Sequence, residues 1–146
     1  MQRVVIALLL SVASGLAKEP APIDAPYDKL FDPWHACMEA EALAKRGAPD
    51  ALRTLFLAAY VRVNQPFLGG EDLETMGKVF EEVLSAIGDK TFSDAVGAQR
   101  PEIRSAVRWF LGPDKDRSLK AFPKTAALLR KAPNIDWPLD KAIRED

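Results

Sequence analysis

Cysteine and histidine are almost absent from this sequence: its 146 residues include one of each, Cys37 and His35. A lone cysteine excludes an intramolecular disulfide, so the fold has to be held by packing alone. Cys37 reads as either a small buried apolar residue or an exposed thiol able to link two chains. A lone histidine means that any Ser-His-Asp or Cys-His arrangement has to use His35. Cys37 follows it by two positions, which on a helix turns the two side chains about 200° apart and leaves no local dyad. His35 and Glu39, at i and i+4, share a face and make half of a metal site, for which no further ligands can be assigned. Gly69-Gly70 lacks the lysine and serine or threonine of a phosphate loop. G-x-S-x-G, H-E-x-x-H and Cys-x-x-Cys do not occur. An excess of one charge is lacking too, since 20 basic and 21 acidic side chains leave a net charge of −1, which argues against nucleic acid as a partner. These gaps predict no catalytic residue, no metal and no cofactor.

The amino terminus is informative in itself. Residues 1–17, MQRVVIALLLSVASGLA, combine a basic start at Arg3, an apolar run from Val4 to Leu10 and a small-x-small site at Gly15-Leu16-Ala17. Those are the three parts of a cleaved export signal. The apolar part falls short of the roughly 20 residues a membrane span requires, and no cysteine follows the cleavage point to carry a lipid. Cleavage near Lys18 would leave 19 basic against 21 acidic side chains, a net charge of −2. Residues 18–31, with Pro20, Pro22 and Pro26, read as an extended tether, because proline fixes φ and disfavours helix at the residue before it. Residues 32–146 are then one all-helical domain, exported to the periplasm or the medium, with no stable membrane span after cleavage.

Within that domain the apolar period is helical nearly throughout, and no stretch alternates as a half-buried strand does. Asp32-Pro33 starts the first helix, which the spacing carries to Arg46 before Gly47. Pro49 opens a second, where Leu52, Leu55, Phe56, Ala59 and Val63 form a stripe thickened by Leu57, Tyr60 and Val61, the pattern of a central helix. The following loop carries Phe67 and Leu68, expected to tuck against the core. A third helix, Glu71 to Ile87, turns Leu73, Met76, Phe80, Val83, Leu84 and Ile87 inward. Its outer face, with Glu74, Lys78, Glu81 and Glu82, is a solvated surface whose pairs are worth only about 0.2–0.5 kcal/mol each. A short helical turn is expected around Thr91 to Val96, a fourth helix from Pro101 to Gly112 and a polar loop from Gly112 to Ser118. A fifth helix from Pro123 to Lys131 should bury Phe122, Ala126, Leu128 and Leu129. Trp137 and a last turn from Pro138 to Arg144 close the chain. The fold class is all-α, about five helices.

The stretch Pro101 to Gly112, PEIRSAVRWFLG, resembles the second helix of HEAT-type repeats through its proline start, the Ile103-Arg104 pair and Ala106. Pro49-Asp50-Ala51-Leu52-Arg53 is a looser echo. The resemblance implies antiparallel helix pairs stacked in a short array, an architecture that generally binds other proteins. A compact irregular bundle is the alternative.

Charge is segregated along the chain. Residues 71–94 hold seven acidic and two basic side chains, residues 100–131 nine basic and three acidic. Arg100, Arg104 and Arg108 fall at i, i+4 and i+8 on one helical stripe, where planar guanidinium forks suit carboxylates. The bland reading pairs this stripe with the acidic third helix. Trp109, beside Arg108 and off the inward stripe, matches the composition of an interface hot spot or fills the gap to the fifth helix. The expectation is a non-enzymatic binding module with Arg100, Arg104, Arg108 and Trp109 as its contact with another protein, possessing an acidic surface. A periplasmic immunity protein or inhibitor of a secreted toxin or hydrolase is its sharper form, and a small metal-dependent enzyme or a lipid carrier its rival.

Overall fold

The structure, a computed structural model, describes residues 32–69, 71–112 and 117–145. The signal and tether expected at 1–31 lie outside the described residues, as does most of the polar loop expected after Gly112. The described residues form an all-helical arrangement: α1 (Pro33–Ala44), α2 (Pro49–Val63), α3 (Asp72–Ile87), α4 (Asp89–Gly97), α5 (Pro101–Leu111), a 3-10 turn (Arg117–Ala121), α6 (Pro123–Arg130) and α7 (Pro138–Glu145). No strand occurs among the described residues.

Proline opens five of these helices at the first or second position, where its missing N–H is no loss. Asp32 caps α1 by accepting hydrogen bonds from the backbone N–H groups of Trp34 (3.0 Å) and His35 (3.2 Å). The helix ends at Ala44, two residues before the expected Arg46, because Arg46 and Gly47 already close the turn onto the carbonyls of Leu43 and Ala44. Between α3 and α4 a single residue separates the helices: Gly88, at φ +90°, is both the end of one and the start of the next. That joint turns the expected short turn into a full nine-residue helix, Asp89–Gly97. The seven helices among the described residues exceed the expected five for this reason and because the tail forms eight residues of helix from Pro138.

The central position belongs to α2, which packs against α1, α5, α4 and α7. Nine of its fifteen residues are buried, Leu55, Phe56, Ala58, Ala59 and Val63 completely. Phe56 meets Phe92 of α4 edge to face at 5.7 Å, Tyr60 meets Trp137 at 5.9 Å, and Phe80 of α3 stacks on Phe110 of α5 at 5.6 Å. Such ring pairs contribute about 0.5–1.5 kcal/mol beyond the area they bury.

Several expectations about burial need correction, among them Leu73 and Ile87 of α3, which are only half-buried. Phe67 is 54% exposed rather than tucked into the core. Phe122 and Leu128 are only half-buried, because α6 turns Thr125 inward beside the expected Ala126 and Leu129.

Phe67 is exposed because an arginine occupies the ground beneath it. Arg62 is fully buried, and its Nε donates to Asp72 Oδ2 at 2.8 Å. Its terminal nitrogens donate to the carbonyls of Gln65 (3.3 Å), Phe67 (2.9 Å) and Leu68 (3.1 Å). The Phe67 ring lies over the guanidinium at 4.9 Å and so screens a buried cation from water. Gly69 is required there: at φ +49° a Cβ would stand 3.2 Å from Arg62 Nη2 and 3.3 Å from Asp72 Oδ1.

Candidate functional site

The candidate surface is built on α5. Arg100 stands just before Pro101 in extended conformation, and the four-residue spacing puts Arg104 and Arg108 above it on the same side. The stripe therefore exists, but its members differ in what they touch. The Arg100 side chain is only 13% exposed; its Nη1 lies 3.4 Å from Glu102 Oε2 and its guanidinium 6.0 Å from the centre of the Tyr60 ring. Arg104 is half-buried, and its Nε is buried without a hydrogen-bond partner. Arg108 donates from Nη1 to the carbonyl of Ala132 at 3.0 Å, just past the end of α6. A cation at that point complements the negative end of the α6 dipole.

Trp109 is half-buried and fixed. Its Nε1 donates to Asp140 Oδ1 at 2.8 Å, while the other oxygen of the same carboxylate accepts from the backbone N–H of Trp137 at 3.0 Å. Asp140 thus caps α7 in the manner of a capping box and ties it to α5. The Phe110 ring meets the indole edge to face at 5.1 Å. The acidic side of the molecule is arranged differently: α3 meets α5 through the Phe80–Phe110 stack, and Glu82 pairs with Lys45 at 3.1 Å.

That lysine also holds Glu41 at 2.8 Å, and the two carboxylates keep its ammonium protonated above the usual range. An open groove of about 500 Å³ is lined by Lys45, Glu81, Glu82, Ser85 and Ala86.

His35 and Cys37 are placed as far apart in character as in direction. His35 Nδ1 lies 2.7 Å from Asp32 Oδ2, both side chains exposed, and this hydrogen bond is the main reason the Asp32 carboxyl lies below its ordinary value. Among the described residues no group of three or more His, Cys, Asp or Glu is placed to hold a metal ion. Cys37 is fully buried, and burial, with Glu41 nearby, pushes its thiol up to about 12. We expect the folded protein to leave Cys37 unmodified by a thiol reagent at neutral pH and to react once unfolded in denaturant, a contrast measured by reagent absorbance with and without guanidinium.

Three structural placements have little or no local signal in the sequence. Arg62 follows the apolar run 55–61, LFLAAYV, and that setting is the one signal that it turns inward. Asp140 gives no local sign of reaching Trp109, 31 residues away. Asp89 is the third: its two oxygens accept from the backbone N–H groups of Lys124 and Thr125, both at 2.8 Å, capping α6 from another helix. Phe122, the residue at the cap position of α6, supplies no side-chain bond of its own.

Burial alone would raise the Asp89 carboxyl, but the hydrogen bonds it accepts outweigh that and leave it below its ordinary value of 3.8. A depressed carboxyl contributes stability that is present above 3.8 and lost as pH falls through the lower folded value. We expect Asp89→Asn, which keeps an acceptor but does not titrate, to flatten the acid limb of stability below about pH 4. Asp89→Ala should instead cost about 0.5–2 kcal/mol at neutral pH. Denaturant titrations at several pH values read both effects.

No protein-family model matches the chain, and comparison with curated proteins and with solved structures gives no significant match to either.

Proposed function

We propose that this chain is an exported, non-enzymatic helical module that acts by binding another protein through the α5 surface. The observation that carries the reading is Trp109: a half-exposed indole held by Asp140 and braced by Phe110, with Arg108 beside it. An aromatic fixed before a partner arrives loses little rotamer freedom on binding, and tryptophan with arginine dominates interface hot spots. Arg104 extends the surface toward Arg100 with a fork suited to carboxylates.

The packing order supports the HEAT-like part of the proposal. α1 folds back on α2, α3 packs on α5, and the two pairs meet through α1 on α3 and α2 on α5. Like helices facing like is the stacking of a two-repeat array. The leader at residues 1–17 supports export, and the sharper form of the reading is a periplasmic immunity protein or inhibitor that occludes a secreted toxin or hydrolase.

Affinity capture with the tagged full chain, expressed with its own leader, tests the proposal. We expect mass spectrometry to find the mature chain starting near Lys18, and periplasmic extract to yield one stoichiometric protein partner. Trp109→Ala should weaken that complex by more than about thirtyfold, the signature of a hot spot. Recovery of no stoichiometric partner sinks the proposal.

A further inference from the structure

We propose that the outer face of the 3-10 turn and α6 is the docking ground for an acidic polypeptide segment of the partner. The inference rests on the binding-module reading and names a neighbouring surface and a partner chemistry for it.

Residues 117–133 contain five basic and no acidic side chains. Lys120, Lys124 and Lys131 are exposed, and among the described residues none of the three carries an ion pair. Lys124, Ala127 and Lys131 fall at i, i+3 and i+7 along α6, Lys120 lies on the 3-10 turn before it, and Arg130 is exposed beside Lys131. Exposed Pro123 and Ala127 lie between the lysines, so the ground between the charges is low and a backbone can approach it closely.

The mounting of this face is stiff for so short a helix. Eight residues alone do not hold a helix in water, yet α6 is fastened at both ends by other elements. Asp89 of α4 caps its first turn. Arg108 of α5 takes the Ala132 carbonyl, and Ser105 donates to the Pro133 carbonyl. Leu128 closes over Gly97, where a Cβ would stand 3.6 Å away. The charges at the two fastenings, negative at the start and positive at the end, also suit the helix dipole. Arg108 thereby serves the neighbouring face, which presents its lysines in fixed positions before any partner arrives.

Length and charge balance select the partner. From Lys124 to Lys131 the helical rise is about 10 Å, the reach of about three residues of extended chain. Charges act over about a Debye length of 8–10 Å, so a segment of that size is held by this lysine face, where the one carboxylate at its start, Asp89, is already engaged by the Lys124 and Thr125 amides. A nucleic acid or a membrane extends well past it, over a chain whose net charge is −1 and which exposes carboxylates such as Glu71, Glu74 and Glu82.

The probe is a fluorescein-labelled glutamate-rich peptide titrated with the full chain and followed by anisotropy at low and physiological salt. We expect salt-sensitive binding that Lys124→Glu with Lys131→Glu weakens about tenfold or more, while Arg53→Glu, a charge reversal on exposed α2, changes it less than about twofold. All these sites are exposed, and superimposable thermal unfolding certifies each variant. Binding by the lysine variant equal to that of the parent chain overturns this inference and leaves the α5 surface as the contact. Absence of peptide binding, or tighter binding of heparin or of anionic phospholipid vesicles than of the peptide, overturns the acidic polypeptide as the occupant. Failure of the proposed function is read separately, by the capture experiment.

Discussion

Replacing Arg62 with methionine is expected to destabilise the protein by about 3–5 kcal/mol, measured as a shift in the guanidinium unfolding midpoint. Arg62 is fully buried and makes four hydrogen bonds, one to a carboxylate and three to backbone carbonyls. Methionine fills similar space but leaves Asp72 a partly buried anion with no cation, Oδ1 already being buried without a hydrogen bond. A lost contact is therefore the smaller part of the effect, and an uncompensated charge the larger. Adding Asp72→Leu removes that charge, so the double variant should recover part of the loss and give a coupling of about 0.5–3 kcal/mol. Additive losses would contradict this account of the pair. Domains of this size are stable by only about 5–15 kcal/mol, so Arg62→Met alone should bring the protein near its unfolding threshold.

A loss of similar size, about 3–5 kcal/mol, is expected for Phe56→Ala by the same measurement. The ring is completely buried on the central helix and meets Phe92 edge to face at 5.7 Å. Removing it takes away the transfer energy of the ring and leaves a cavity that α2, packed against α1, α4, α5 and α7, cannot collapse into. Phe56→Leu retains most of the volume and should cost less than half as much. The comparison separates cavity formation from loss of the aromatic pair, because leucine loses only the second in full.

Much of the helical plan could be read from the sequence, since prolines at helix starts and 3.6-residue periodicity are local signals. Pro33, Pro49, Pro101 and Pro123 each open a helix where expected. The stripe Met76, Phe80, Val83 and Leu84 is buried. Local signals gave out where one element completes another. The cap of α6 is Asp89, 35 residues before the N–H it accepts from, and no pattern near Pro123 announces it. Phe67 looked like a core residue by its type; its exposure follows from the choice of Arg62 to hold the loop from within. The stripe of Arg100, Arg104 and Arg108 was legible as spacing alone. That Arg108 reaches the end of α6 and Arg100 faces Tyr60 depends on neighbours that spacing does not specify.

The fastening of α6 at both ends sets an order of assembly. Its cap comes from α4 and the Ala132 carbonyl just past its end is taken by α5, so the helix gains its full stability only after those two are in place. α6 is then a late-forming unit, and by microscopic reversibility an early one to open. Its amides should exchange with deuterium through a local opening well below the global unfolding free energy, while those of α2 exchange only when the whole domain unfolds.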